Sequence, residues 1–334
     1  MADIKNLFEE LLSVTNDNTK VIDLLKEIEA ILSIKSIDYS DESATDINLS
    51  QGIAISSKLA AQCFTDYLRT HRFMLGTYLC TQKLLNQKTK PIRILYAGTG
   101  PYATIVLPLL YLLSKEEISI TAIEINHDSY AAAKHLIRKL KKEEYFDSFL
   151  LTDAITYNPN KEFDIIISET MDKALTREPQ LAIFSNLINY LSANGNLIPE
   201  CIKVDIVASS VYLEKDAPHF CFDDPEIRLI NQKHRQFIDN IIYADQHFFE
   251  TRKLTPNQNE FLKTINTNQI KENLNELIFI TEVIVFNDIV LLEGDSEITK
   301  KYICYSFTEM DKGKNLDLYY LNNESPRITI TPKN

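Results

Sequence analysis

Two glutamates, Glu169 and Glu178, stand nine positions apart in FDIIISETMDKALTREPQ (163–180), one just after an apolar run and the other just before a proline. The run Phe163-Asp164-Ile165-Ile166-Ile167 has the β-branched, non-alternating character of a strand buried in a parallel sheet. Glu169 then leaves the strand at its carboxyl end, where open α/β sheets bind ligands. A second carboxylate in the following loop or helix start could converge with it on one small cation. A guanidinium, with N–H groups on two sides, is the cation such a pair grips best. Either glutamate alone reads better as solvated surface, so the assignment depends on what surrounds the pair.

Upstream, Ile94-Leu95-Tyr96-Ala97-Gly98-Thr99-Gly100-Pro101 predicts a strand running into a glycine turn, with a buried helix over Ala103–Ser114 and Pro101 at a first helical position. Gly98 and Gly100 would let the backbone approach a ligand closely, and a helix N-terminus offers free N–H groups to a carboxylate or phosphate. A lone Gly-x-Gly fits a plain strand-to-helix turn as well, and Tyr102 stands where a dinucleotide fingerprint has its third glycine. Ile118–Ile125 predicts the next strand, with Glu124 at its tip, 26 positions beyond Gly98 and placed to accept both hydroxyls of a ribose. After a helix over Ser129–Lys142, a third strand ends at Leu150-Leu151-Thr152-Asp153-Ala154. Asp153 could accept from an adenine amino group, or it could start a turn or cap a helix, which Asp does with similar frequency.

Taken in order, the glycine turn, Glu124, Asp153 and Ser168-Glu169-Thr-Met171 up to Glu178 resemble a class I S-adenosylmethionine-dependent methyltransferase. More narrowly they are similar to the protein arginine methyltransferases, whose double-glutamate loop has this spacing with a methionine two places after the first glutamate. The resemblance covers 60–215 and continues through Leu191–Pro199, which looks like that family's strand leading into a β-barrel. It implies S-adenosyl-L-methionine as cofactor, no metal, and a homodimer. It implies cofactor contacts from Arg69, Tyr96, Gly98, Thr99, Gly100, Glu124 and Asp153, and an acceptor site formed by Glu169, Glu178 and Met171. Arg69 enters through Asp66-Tyr67-Leu68-Arg69-Thr70, similar to the family's D-x-x-R-T segment, whose arginine holds the cofactor's methionine carboxylate; by itself the segment is an ordinary amphipathic helix.

The chain also departs from the family. Tyr96 replaces the acidic residue that usually opens the first motif, and Tyr102 replaces its last glycine. There is no Trp, so the Thr-His-Trp loop that completes the acceptor pocket of protein arginine methyltransferases is absent, and nothing in Ile280–Asn334 matches it. The expected acceptor is therefore free L-arginine or another small guanidino compound. Its α-carboxylate and α-amine would then need polar partners, expected from 1–58 or 224–277. Protein arginine methylation, methylation of another metabolite with the glutamates merely structural, and a cofactor-binding protein without chemistry stay open.

Composition narrows the classes. A net charge of −12 opposes nucleic acid as a ligand and suits a cationic substrate. MADIKNLFEELL has acidic residues where a signal peptide needs a basic flank, and Ile94–Ser114, though uncharged, carries glycines and prolines that favour a buried core over a membrane span. Five scattered cysteines (Cys63, Cys80, Cys201, Cys221, Cys304) and six histidines without partner spacing indicate neither a disulfide framework nor a zinc site, and a cytoplasmic protein is expected. The expected architecture is an α/β, Rossmann-like methyltransferase domain over 59–199. It is preceded by a helical segment, 1–58, with helices at Ile4–Val14 and Thr19–Leu32 broken at Asn16–Asn18. A β-rich, barrel-like part follows over 200–334, with a helix-leaning insertion at 224–277.

Overall fold

The computed structural model describes residues 3–15, 17–32, 44–87, 91–210, 212–215, 225–308, 311 and 313–333. Asn16, His219, Cys221 and Asp224 lie outside them. The amphipathic patterns at the N-terminus form α1 (Ile4–Ser13) and α2 (Asn18–Leu32). Phe8, Leu11, Leu25 and Ile28 are wholly buried, worth about 1.5–3 kcal/mol each. The 1–58 segment is not helical throughout, because β1 (Ile47–Leu49) and β2 (Gly52–Ala54) form an antiparallel hairpin before α3 (Ser57–Gln62). Two three-residue strands leave too short an alternation to read from sequence.

α4 (Tyr67–Leu85) is joined to α1 by the buried His71, whose Nε2 lies 3.0 Å from the Leu11 carbonyl oxygen. Burial, with the neighbouring Arg72 charge, pushes His71 down to about 4, so it is neutral and donates from Nε2. The central sheet contains β3 (Ile92–Ala97), β4 (Ile118–Glu124), β5 (Phe146–Leu151), β6 (Phe163–Ser168) and β7 (Leu191–Ile198). All pairs are parallel, in the order β5-β4-β3-β6-β7. The chain winds outward from β3 through β4 to β5, then crosses back to β6 on the other side of β3. The switch point therefore falls at the carboxyl ends of β3 and β6, where Ala97 pairs with Ser168.

The helix expected over Ala103–Ser114 is shorter. A 3-10 turn at Thr104–Val106 leads into α5 (Leu107–Leu112), and Pro108, not Pro101, sits in the first helical turn. Ala103 has a left-handed backbone (φ 48°), which ends the glycine turn and prevents a helix from starting earlier. α6 (His127–Lys139) and α7 (Gln180–Leu187) cover the sheet.

Beyond 200 come β8 (Cys201–Ser209), α8 (Pro225–His234), β9 (Gln236–Asp245), α9 (Gln246–Thr251), β10 (Asn259–Asn266), β11 (Glu276–Phe286), β12 (Ile289–Leu291), β13 (Tyr302–Ser306), β14 (Asn315–Leu321) and β15 (Arg327–Pro332). They build two antiparallel sheets, β12-β11-β8-β9 with β13 on β11, and β10-β14-β15. Within 225–277, α-helix is thus confined to α8 and α9, with one 3-10 turn at Thr267–Gln269, and β9 and β10 are strands. Asp239-Asn240 interrupts the apolar pattern of β9, yet Asn240 is absorbed at a register shift, where its Nδ2 donates to Asp205 Oδ1 at 2.9 Å. Among the described residues no helix is long and apolar enough to cross a membrane.

Candidate active site

The glycine turn after β3 is shaped by two positive-φ residues, Gly98 (72°) and Gly100 (59°). A Cβ on Gly98 would lie 2.5 Å from Thr170 Cγ2, so the turn and the loop after β6 pack too closely for any other residue. Gly100 N–H donates to Glu124 Oε2 at 2.8 Å, while Ile125 and Asn126 N–H donate to Glu124 Oε1 at 2.9 and 2.8 Å. Glu124 is 6% exposed; burial pushes its carboxyl up, against the pull of these amides. Three amides, with the Thr99 hydroxyl beside them, leave at most one of the carboxylate's roughly four acceptor positions for a ligand hydroxyl. The expected two-point grip on a ribose would therefore require one of these bonds to give way. Tyr96, in the place of an acid, is buried, which raises its phenol, and donates to the Thr99 carbonyl at 3.4 Å. Tyr102 packs edge-on against Phe64, with ring centroids 6.4 Å apart.

Arg69 projects from the first turn of α4, and its guanidinium donates to Glu169 Oε2. The two side chains are 12% and 8% exposed. Burial opposes charge on Arg69, but the Glu169 carboxylate together with the other negative neighbours, Asp66 among them, outweighs it and holds the guanidinium firmly charged; burial also lifts the Glu169 carboxyl despite Arg69. Asp66 does not cap its own helix. Its Oδ2 accepts from Ser296 Oγ at 2.6 Å and Glu297 N at 3.1 Å, fixing the start of α4 against the C-terminal part.

The loop between the two glutamates is held from several sides. Thr170 N–H donates to Gln180 Oε1 at 2.9 Å, Ala174 N–H to Thr281 Oγ1 at 3.0 Å, and Arg177 N–H to the Pro326 carbonyl at 2.9 Å. Ala174, Leu175 and Arg177 are left-handed (φ 53°, 57° and 64°), a conformation costing about 1–2 kcal/mol per residue that these contacts must hold. Glu178 follows, half-buried. Burial and then the charge of Glu169 push its carboxyl up to about 8.

One cavity of about 120 Å³ at the switch point joins these parts. Arg69, Tyr96, Gly98, Thr99, Gly100, Glu124, Asp153, Glu169 and Glu178 all line it. Met171 is not among the lining residues: it is 1% exposed and packed in the core, one layer back from the acceptor wall expected of it. Asp153 spends Oδ1 on the Ile155 N–H at 2.8 Å, the turn role open to it from sequence. The lining also includes Cys63, Phe64, Ser129, and Leu49, Ile53, Ala54 and Ile55 from the hairpin and the residue after it. None of these was marked by sequence, since no motif announces a wall residue. The polar groups expected from 1–58 and 224–277 do not materialise among the described residues: the first segment contributes only apolar side chains and the second none. The Ser129 hydroxyl and Glu169 Oε1 are buried with no hydrogen-bond partner among the described residues.

No family model matches the chain. An uncharacterized protein, MJ1452, of Methanocaldococcus jannaschii is 24% identical over 155 residues, 45% of this chain and 54% of that protein, so the chain spans about half the length of the curated relative it matches. Among solved structures, the Trypanosoma brucei PRMT1 enzyme–prozyme heterotetrameric complex with AdoHcy superposes with a TM-score of 0.56 at 11% identity, over 82% of this chain and 92% of that one. The open conformation of Arabidopsis thaliana protein arginine methyltransferase 10 gives 0.51 at 10% identity, over 80% and 96%. The likeness is one of fold: a Rossmann-like sheet followed by an antiparallel β-rich part.

Proposed function

We propose that this chain is an S-adenosylmethionine-dependent N-methyltransferase acting on the guanidino group of a small arginine-like molecule such as free L-arginine. The observation that carries the reading is the meeting of Glu169 and Glu178 with the glycine turn and Glu124 in a single cavity at the switch point. The Trypanosoma and Arabidopsis proteins of like fold are protein arginine methyltransferases by name, and the first is a complex with AdoHcy.

The residues present suit the cofactor. Gly100 faces room in which a Cβ would meet only Ala60 Cβ, at 3.9 Å, and the orphaned Ser129 hydroxyl offers a ligand a hydrogen bond. Gly98, Thr99, Gly100, Glu124 and Asp153 would hold its nucleoside side, and Arg69 is the cation available for its carboxylate. When bound, the cofactor supplies an electrophilic methyl group. A free guanidinium is protonated throughout the neutral range, so the protein must both fix it and remove a proton as its nitrogen reacts. Glu169 and Glu178 would bind its N–H edges from two sides, concentrating charge away from the reacting nitrogen. With Arg69 drawn from Glu169, the bound guanidinium would supply the positive charge that both raised carboxyls lack. Glu178, half-buried and so in reach of water, would take the proton at a carboxylate oxygen. A homodimer in the cytoplasm belongs to the same proposal, and sedimentation tests the former.

Incubation with cofactor, comparing free arginine and simple guanidines with glycine-arginine-rich peptides at matched concentration, tests the reading by mass. Efficient methylation of the small molecules is expected. The reverse ranking would restore the protein-modifying alternative.

A further inference from the structure

We infer that the acceptor carries its guanidine on an uncharged hydrocarbon stem, because the wall beside Glu178 is an apolar roof built by the β1–β2 hairpin; the inference rests on the guanidino reading above. Leu49, Ile53, Ala54 and Ile55 line the cavity together with Glu169 and Glu178. The roof is fastened to the loop between the glutamates. Ile53 N–H donates to the Arg177 carbonyl at 2.9 Å, one residue before Glu178. Gly52 (φ 125°) sits so close that a Cβ there would lie 2.8 Å from the same carbonyl oxygen. Gln51 Nε2 donates to Asn322 Oδ1 at 2.8 Å in a buried bond, and the Arg177 guanidinium stands 3.5 Å from Asp46. A wall held on both sides stays in place when a ligand arrives.

Its polarity then selects the ligand. A carboxylate on the stem would lose water against Leu49 and Ile53 without a replacement partner and would meet the like charges of Glu169 and Glu178. Arg69 is the one basic residue in the described lining, and on the reading above the cofactor carboxylate takes it. A methylene laid against the same wall gains affinity instead, by a factor of about four. The acceptor class is accordingly a monoalkylguanidine, with free L-arginine a poorer member of the set.

The test uses n-butylguanidine and L-arginine on the full chain with saturating cofactor, read by calorimetric binding and by kcat/KM. Butylguanidine should bind at least about tenfold more tightly, and Ile53→Ser should narrow the preference roughly tenfold while Ile53→Val leaves it nearly unchanged. Cofactor affinity reports whether the variants are folded, and Leu49→Ser replaces Ile53→Ser should the latter not fold. Turnover with L-arginine equal or preferred overturns the roof inference and leaves the guanidino reading standing. Tight butylguanidine binding without methyl transfer overturns the guanidino reading, and the acceptor inference with it, while leaving the apolar roof as a binding surface; no binding of either compound removes all three.

Discussion

Glu178→Gln should change how stability depends on pH. The carboxyl of Glu178 is raised from 4.5 to about 8, by burial first and by the Glu169 charge second. A folded state that holds a proton more tightly than the unfolded chain loses stability as pH rises between those two values, and keeps it below the lower one. The full shift is worth at most about 5 kcal/mol. Because the side chain is partly exposed, solvent screening brings the expected effect down to the order of 2 kcal/mol. Glutamine imitates the protonated carboxyl and has no proton to lose. In urea denaturation at intervals from about pH 5 to about pH 9, the variant should therefore gain on the parent steadily, by the order of 2 kcal/mol across the range. Carboxylates remote from Glu178 titrate alike in both proteins and cancel in the difference; Glu169, whose charge helps raise Glu178, is the exception. If Glu178 is the proton acceptor, kcat/KM of the parent should also climb with pH toward a plateau above about 8. A pH-independent stability difference would refute the burial argument, whatever the activity.

Glu124→Ala should weaken cofactor binding at least tenfold, about 1.4 kcal/mol, and also lower stability, since the Gly100, Ile125 and Asn126 amides lose their acceptor; calorimetry finding unchanged affinity would reduce Glu124 to a structural role. Arg69→Ala leaves the Glu169 carboxylate buried and unpaired, so a stability loss of about 3–5 kcal/mol is expected at neutral pH, easing on acidification as Glu169 takes a proton. Arg69→Lys should restore part of that stability but little cofactor affinity, because the planar fork is gone. Gly98→Ala should cost at least about 1 kcal/mol from its left-handed backbone alone, and Thr170→Ala should relieve only the steric remainder, as a double-mutant cycle would reveal.

What the sequence made legible follows from where its information is local. β3, β4 and β6 are buried on both faces and so read as compact apolar runs, which by itself puts Gly98, Glu124 and Glu169 at strand ends. The ion pair of Arg69 with Glu169 spans 100 positions and depends on how α4 crosses the sheet, which no spacing encodes. Met171 has the right type and position in the motif, but the turn of the loop, set by Gln180 and by left-handed residues, sends it into the core. The hairpin at 47–54 is too short for periodicity to announce, and its role appears only once Gly52 is found against Arg177.

The most direct test of the account is the mass of a guanidine panel after incubation with cofactor and the parent chain, Glu169→Gln or Glu178→Gln. The account predicts a methylated small guanidine with the parent, none with either variant, and cofactor affinity in both variants close to that of the parent. Methyl transfer that survives in either variant, or cofactor binding by the parent with no guanidine methylated, would contradict it.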